Sequence, residues 1–185
     1  EGAVVGVHYH RKKAEAQQLI EKIRAAGGRA DGFEADLLNW DARARLVPEA
    51  IERLGGLDGL VNNAGAVIGP APFLELDETA WSQTFLLNVE SPFFLAQAAF
   101  RHMQEVGGGK IINISSVGVK FGGSPRTLHY SAAKAALEGV TLGLAIYRGW
   151  NDVLAALRGL KDFDQMSGFS VVFDEVAIMA PADLY

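Results

Sequence analysis

Residues 3–28 read AVVGVHYHRKKAEAQQLIEKIRAAGG, and their pattern changes once. The opening AVVGVHY is short, apolar and rich in Val, which suits a strand buried on both faces. From Lys13 the apolar residues Ala16, Leu19, Ile20 and Ile23 recur at spacings of three and four, marking one helix face. Gly27-Gly28 supplies the stop. A strand passing directly into a helix is one βα unit.

The pattern repeats along the chain. Residues 29–35 form a weak strand, and residues 42–54 a helix carrying Leu46, Ala50, Ile51 and Leu54, closed by Gly55-Gly56. LDGLV at 57–61 is a third strand, leading into Asn62-Asn63-Ala64-Gly65. Asp77 is placed as the N-cap of a long helix running to about Met103, with a bend expected at Pro92. KIINIS at 110–115 is a fourth buried strand, and SAAKAALEGVTLGLAI at 131–146 has helical spacing. Beyond Tyr147 the expectations are a short helix at 151–160 and strands at 170–173 and 176–180. Strands alternating with helices over such distances predict an α/β fold, a doubly wound parallel sheet with helices on both faces. In such sheets function lies at the carboxyl ends of the strands.

Composition narrows the function classes. The 185 residues are 49% hydrophobic and 21% charged, an ordinary globular balance. Seventeen Lys and Arg against 22 Asp and Glu give a net charge of −5, the wrong sign for an unselective nucleic-acid binder. The absence of cysteine excludes disulfides, thiolate zinc sites, iron–sulfur clusters and a Cys nucleophile. No uncharged apolar run approaches the roughly 18 residues a membrane span requires, and the start lacks a signal-peptide pattern. The cytoplasm is the expected location. His8 and His10 point to one face of a strand, but no third ligand stands nearby, so no metal is expected. His129 is placed at the substrate mouth and His102 on the surface.

The loop after the fourth strand holds Ser115 and Ser116, and Tyr130 and Lys134 follow one helical turn apart on one face. A phenol with an ordinary pKa near 10 transfers protons poorly at neutral pH unless a nearby cation favours the phenolate. A hydroxyl such as Ser116 could hold a substrate oxygen against that phenol. The set fits alcohol or carbonyl redox chemistry, and since no side chain accepts a hydride, a nicotinamide cofactor must supply that capacity. By itself Tyr-x-x-x-Lys is a weak signal.

Its company is more specific. LVNNAG at 60–65, LNV at 87–89, KIINISS at 110–116 and YSAAKAAL at 130–137 stand in the order found in short-chain dehydrogenases/reductases. The chain resembles that family over about residues 2–145, and is similar to its 3-oxoacyl-carrier-protein reductase-like members. The resemblance implies that Tyr130 is general acid in reduction and base in oxidation. By the same resemblance Lys134 lowers the Tyr130 pKa and bonds the nicotinamide ribose, and Ser116 orients the substrate oxygen. Asn88 would hold a water linking Lys134 to solvent. It further implies that Asn62 fastens neighbouring strands, that Asn63, Ala64 and Gly65 line the adenine ribose, and that Asp36 and Leu37 flank the adenine ring. The family forms dimers and tetramers through the helices holding Asn88 and Tyr130. Phe93, Phe94, Leu142 and Leu144 would provide that surface, although a buried core is the blander account of them.

Cofactor choice is argued from charge. NAD binders of this type place Asp or Glu where this chain has Tyr9, and Tyr9 is followed by His10, Arg11 and Lys12. A missing carboxylate and added cations suit a 2′-phosphate, so NADP is favoured over NAD, with Arg11 as the contact. A solvated basic helix start is the alternative, and basic residues there oppose the helix dipole.

Two departures from the family follow. No T-G-x-x-x-G-x-G run occurs, so the first strand and helix of the family, with their pyrophosphate site, are expected to be missing. Residues 1–146 are expected to form the core, and 147–185 an irregular C-terminal extension that could add one more strand to the same domain. Two functions stay open. One is an NADP-dependent oxidoreductase interconverting a secondary alcohol and a ketone. The other is a catalytically silent or partial member acting through oligomerisation. The loop at 117–129, with Phe121, Leu128 and a Gly-rich middle, would accept an apolar ketone, a 3-oxoacyl thioester or a simple secondary alcohol.

Overall fold

The computed structural model describes residues 2–147, 171–172 and 176–179. Strand β1 (Val4–Tyr9) runs into helix α1 (Lys13–Ala25), which buries Ala16 and Ile20. Gly27, at φ +82°, turns the chain out of α1: the Gly28 N–H donates to the Ile23 carbonyl and the Gly27 N–H to the Arg24 carbonyl. This closes the orphan carbonyls of the last turn. Strand β2 (Arg29–Glu34) pairs with β1 in parallel, Val4 opposite Arg29 and Tyr9 opposite Glu34.

Helix α2 (Trp40–Leu54) starts two residues earlier than its apolar spacing predicts, because the Asn39 side chain accepts the Ala42 N–H as an N-cap. The two helices lie on opposite faces of the β1–β2 ribbon. A Cβ on Gly32 would touch Ile20 of α1, whereas one on Gly6 would touch Phe33, the next residue along β2, and Leu54 of α2.

Strand β3 (Gly59–Asn62) pairs in parallel with β4 (Lys110–Ile114), and β4 pairs in parallel with β6 (Val176–Met179); β5 (Val171–Val172) adds to β6 antiparallel. The expected C-terminal strands are therefore present in shortened form. The expected helix at 151–160 lies outside the described residues.

Between β3 and β4 come a 3-10 turn (Phe73–Glu75), helix α3 (Glu78–Phe85) capped by the Asp77 carboxylate, a π-helical turn (Leu86–Glu90) and helix α4 (Ser91–Val106). The irregularity sits one turn before the expected bend. Pro92 has no N–H for the Asn88 carbonyl four residues back, and the backbone widens there into π geometry. A short helix α5 (Gly118–Phe121) and the long α6 (Leu128–Tyr147) follow β4, with α6 packed on β4 and β6. Leu37, Val47, Leu95, Ala96, Ala99, Met103, Ile111 and Ala145 form one core cluster.

Among the described residues the sheet is in two parts, β1–β2 and β3–β4–β6–β5. The free edges of β1 and β3 line a common groove of about 700 Å3, with Leu46 and Leu95 from α2 and α4 also lining it. Val5 and Val61 are 36% and 56% exposed on these edges, unusual for parallel strands, which are ordinarily covered.

Candidate active site

Three carboxyl-terminal strand ends and the start of α6 converge on one region. Asn62 closes β3, and its side-chain amide donates to the Asn113 side-chain carbonyl on β4 at 2.8 Å and to the Pro92 carbonyl at 3.3 Å. Asn113 in turn donates to the Thr141 hydroxyl of α6 at 2.9 Å. All three side chains are buried, so this relay ties both strands and α6 together without a solvent-facing partner.

Directly after β4, the Ser115 hydroxyl is hydrogen-bonded to the Glu138 carboxylate of α6. The Ser116 oxygen accepts the Gly118 N–H at 3.2 Å, which leaves its own proton for the Tyr130 hydroxyl. Tyr130 is half-buried. Burial pushes its pKa above the ordinary 10.0, and the Ser116 hydrogen bond works in the opposite direction. Lys134, one turn on, is 2% exposed, with its ammonium donating to the Ile114 carbonyl at 2.8 Å. Burial lowers its pKa from 10.5 to about 8. The ammonium lies 5.8 Å from the centre of the Tyr130 ring. Of the two influences on the Tyr130 phenol, burial is the larger and the Ser116 hydrogen bond the smaller.

Asn88 lies in the π-helical turn and is fully buried. Its amide nitrogen donates to the Ala66 and Thr84 carbonyls at 2.9 and 2.8 Å, whereas its side-chain oxygen has no partner. A Cβ added to Gly65 would stand 2.6 Å from that oxygen and 3.1 Å from the Lys134 ammonium. Gly65 therefore lets the backbone of the β3 loop reach both groups, a contact no side chain would permit.

The groove between β1 and β3 ends at this point. Tyr9, His10, Arg11 and Lys12 line it at the β1 end; Leu37, Asn63, Ala64 and Gly65 are also in its lining. Asp36 stands beside it, its carboxylate accepting the Leu38 N–H at 3.0 Å and lying 3.7 Å from the His10 ring nitrogen. Structure thus brings together the residues named from sequence. A nicotinamide dinucleotide fits this donor set at both ends: cations at Arg11 and Lys12, a backbone cradle at Gly65, and Lys134 beyond it.

Other side chains depart from their expected places. His129 is not at an open mouth but fully buried, hydrogen-bonded to the Ile68 carbonyl at 2.8 Å, and Arg126 donates to the Pro70 carbonyl at 2.9 Å. These two bonds, unseen in the sequence, clamp the β3 loop to the start of α6. His102 accepts the Leu57 N–H at 3.2 Å and is only partly exposed. Phe94 turns toward α2, edge-on to Trp40 with centroids 5.3 Å apart, leaving Phe93 to line a groove of about 600 Å3 between α4 and α6. Phe121 and Leu128 are exposed, and Leu128 borders a separate 320 Å3 groove with Phe73, Leu76 and Trp81.

A family model described as short chain dehydrogenase matches residues 1–148. The chain belongs to the short-chain dehydrogenase family. It is 35% identical over 148 residues to a hydroxynaphthalene reductase-like protein of Metarhizium majus, covering 80% of this chain and 54% of that one. To 2-dehydro-3-deoxy-D-gluconate 5-dehydrogenase of Dickeya dadantii it is 38% identical over 143 residues, covering 77% and 54%. The chain spans about half the length of these curated relatives. Among solved structures it is similar to the NADH-dependent reductase A1-R′ (TM-score 0.74, 30% identity, 79% of this chain and 61% of that one). Acetoin dehydrogenase from Enterobacter cloacae is comparable (TM-score 0.72, 36% identity, 78% and 57%). The Rossmann-like α/β fold expected from sequence is the fold these family members have.

Proposed function

We propose that the protein is an NADP-dependent oxidoreductase interconverting a secondary alcohol and a ketone. The observation carrying this reading is the Ser116–Tyr130 hydroxyl pair beside buried Lys134, reached through Gly65 from a groove whose far end holds Arg11. When bound, the nicotinamide supplies or accepts the hydride. The chain's own groups handle the oxygen and its proton. Ser116 orients the carbonyl oxygen, and Tyr130, protonated at neutral pH, donates its proton to it in reduction and is left as the phenolate; in oxidation the phenolate takes the proton of the alcohol. Lys134 places positive charge under the phenol ring, and the unpartnered Asn88 oxygen faces the same space and suits a bridging water.

NADP rather than NAD is supported by Tyr9 in place of an acid and by exposed Arg11 and Lys12 in the groove lining. A small carbonyl or alcohol substrate, a cytoplasmic location and a homodimer or homotetramer built on α4 and α6 complete the proposal. So does a core at residues 1–146 with a C-terminal extension at 147–185. Among the described residues no helix is long and apolar enough to cross a membrane. A second reading, a silent or partial member acting through oligomerisation, is favoured by the open groove between β1 and β3 and by the apolar α4–α6 face at Phe93 and Leu144.

Fluorescence titration with NADPH and, separately, NADH tests the choice. Saturable binding with NADPH tighter, weakened by Arg11→Ala for NADPH more than for NADH, is expected. An equal loss for both removes the phosphate assignment, and no binding of either by the folded chain favours the second reading.

A further inference from the structure

The phenol of Tyr130 stands in the first turn of α6, and a first turn frays readily because its leading N–H groups lack intrahelical partners. Thr127, just before the helix, turns its hydroxyl back to the Ser124 N–H at 2.8 Å, and the bond from Lys134 to the Ile114 carbonyl comes a full turn later. The hold on the first turn comes from the loop after β3. From Ala66 to Pro70 every second carbonyl accepts a side-chain donor, and each donor belongs to a different segment. They are Asn88 of the π-helical turn at 2.9 Å, His129 of α6 at 2.8 Å and Arg126 of the turn before α6 at 2.9 Å. A carbonyl only accepts, so the His129 Nε2 carries the proton of its bond. The Thr84 hydroxyl also meets Ile68, at 3.3 and 3.4 Å, which leaves the His129 bond the shorter one.

His129 is fully buried and precedes Tyr130, about 100° from it around the helix. A bond that fixes one of these side chains fixes the rotation of the turn, and with it the direction of the other. The same loop passes through Gly65, where an added Cβ would lie 2.6 Å from the Asn88 oxygen and 3.1 Å from the Lys134 ammonium. His129 thus joins the two walls of the site, the helix carrying the phenol and the loop that closes on Lys134. We infer that His129 is a positioning residue for Tyr130, its ring bond to the Ile68 carbonyl setting the phenol against the Ser116 hydroxyl. The inference rests on the oxidoreductase reading. Tyr130 transfers the proton, and His129 acts only through the backbone.

Glutamine places its amide nitrogen where imidazole has Nε2, so His129→Gln keeps the bond, whereas His129→Phe keeps the bulk and loses it. Two measurements are made on the full chain. With NADPH and the probe ketones cyclohexanone and acetophenone, His129→Phe should lower kcat about ten- to 100-fold and change the ketone KM by less than about two-fold, the signature of a misplaced phenol. His129→Gln should recover kcat to within about three-fold of wild type. Without cofactor, amide hydrogen exchange of Ile68 and Ser131 should quicken about five-fold in His129→Phe, as for the loss of one hydrogen bond, while the amides of β4 stay unchanged. Unchanged kcat in His129→Phe, no recovery in His129→Gln, or faster exchange spread equally over β4 overturns the inference. If His129→Phe does not fold, His129→Asn, too short to reach Ile68, is read by the same two measurements. A wild type that neither binds NADPH nor reduces either ketone overturns the oxidoreductase reading, and the exchange of Ile68 and Ser131 then decides by itself whether His129 holds the first turn of α6.

Discussion

Lys134 carries a charge that the fold buries, and replacing it should show the cost. Its ammonium is 2% exposed, and burial lowers its pKa from 10.5 to about 8. At about 1.4 kcal/mol per pH unit of separation between folded and unfolded values, the buried charge costs roughly 3 kcal/mol at pH 7. Because the folded value is the lower one, the unfolded chain binds more protons between pH 8 and 10.5. Stability of the wild type therefore rises with pH across that window, and roughly 2 kcal/mol of the penalty is gone by pH 9.5. Lys134→Met removes the titrating group and leaves the Ile114 carbonyl without the donor it has at 2.8 Å, a loss of about 1 kcal/mol at any pH. The variant should be more stable than wild type by roughly 2 kcal/mol at pH 7 and nearly equal to it at pH 9.5. Urea denaturation followed by circular dichroism at both pH values reads this as a midpoint gap of about 1 M that closes, with an unchanged slope. A gap of the same size at both pH values, or a variant less stable than wild type at pH 7, would refute the desolvated ammonium.

Other perturbations address the remaining geometry. Gly65→Ala places a methyl 2.6 Å from an Asn88 oxygen whose amide is pinned by two carbonyls, and should destabilise by about 1–3 kcal/mol in thermal melts; an unchanged melting temperature would show that the loop yields freely. Asn113→Ala breaks the buried relay from Asn62 to Thr141 and should lose about 2–4 kcal/mol, measured by denaturant unfolding. A loss below 0.5 kcal/mol, on the order of a surface substitution, would mean the relay holds nothing together. Tyr130→Phe should leave NADPH affinity nearly intact and reduce ketone turnover by about 100-fold or more. Retention of a tenth of the turnover would remove the phenol from proton transfer.

Local patterns were the legible part of this chain. The i,i+4 pair Tyr130–Lys134 and the βα alternation depend on residues close in sequence, and both are where spacing places them. The ends of elements were less legible. Leu57 looks like part of β3, but its apolar side chain packs at the core edge while its N–H bonds His102, 45 residues away, and the strand begins at Gly59. Helix α6 begins at Leu128, three residues before the apolar spacing shows it, because the preceding Ser124–Thr127 turn already organises the chain: Ser131 N–H donates to the Thr127 carbonyl. Long-range polar contacts left no signal at all. His129 with Ile68 and His10 with Asp36 join residues 61 and 26 positions apart, and a lone histidine in sequence does not announce its acceptor. Phe94 fits either an exposed surface or a core from sequence, because an aromatic stripe says nothing of direction; its direction is set by Trp40 and by the guanidinium of Arg43, 5.4 Å from its ring.

The two-part sheet bears on how the molecule comes apart. Among the described residues no strand pairing joins β1–β2 to β3–β4, so α2 is the main attachment. It is fastened by Arg43, buried and bonded to Glu90 and Ser91, and by the Ser91 hydroxyl at 2.8 Å from the Leu37 carbonyl. A lobe held by the apolar contacts of Leu37 and α2 and by these polar bonds, without strand pairing, opens as a unit at a free energy below that of global unfolding. Amide protons of β1 and β2 should then exchange together and ahead of those in β4, and anything that bridges β1 to β3 would merge two cooperative units into one.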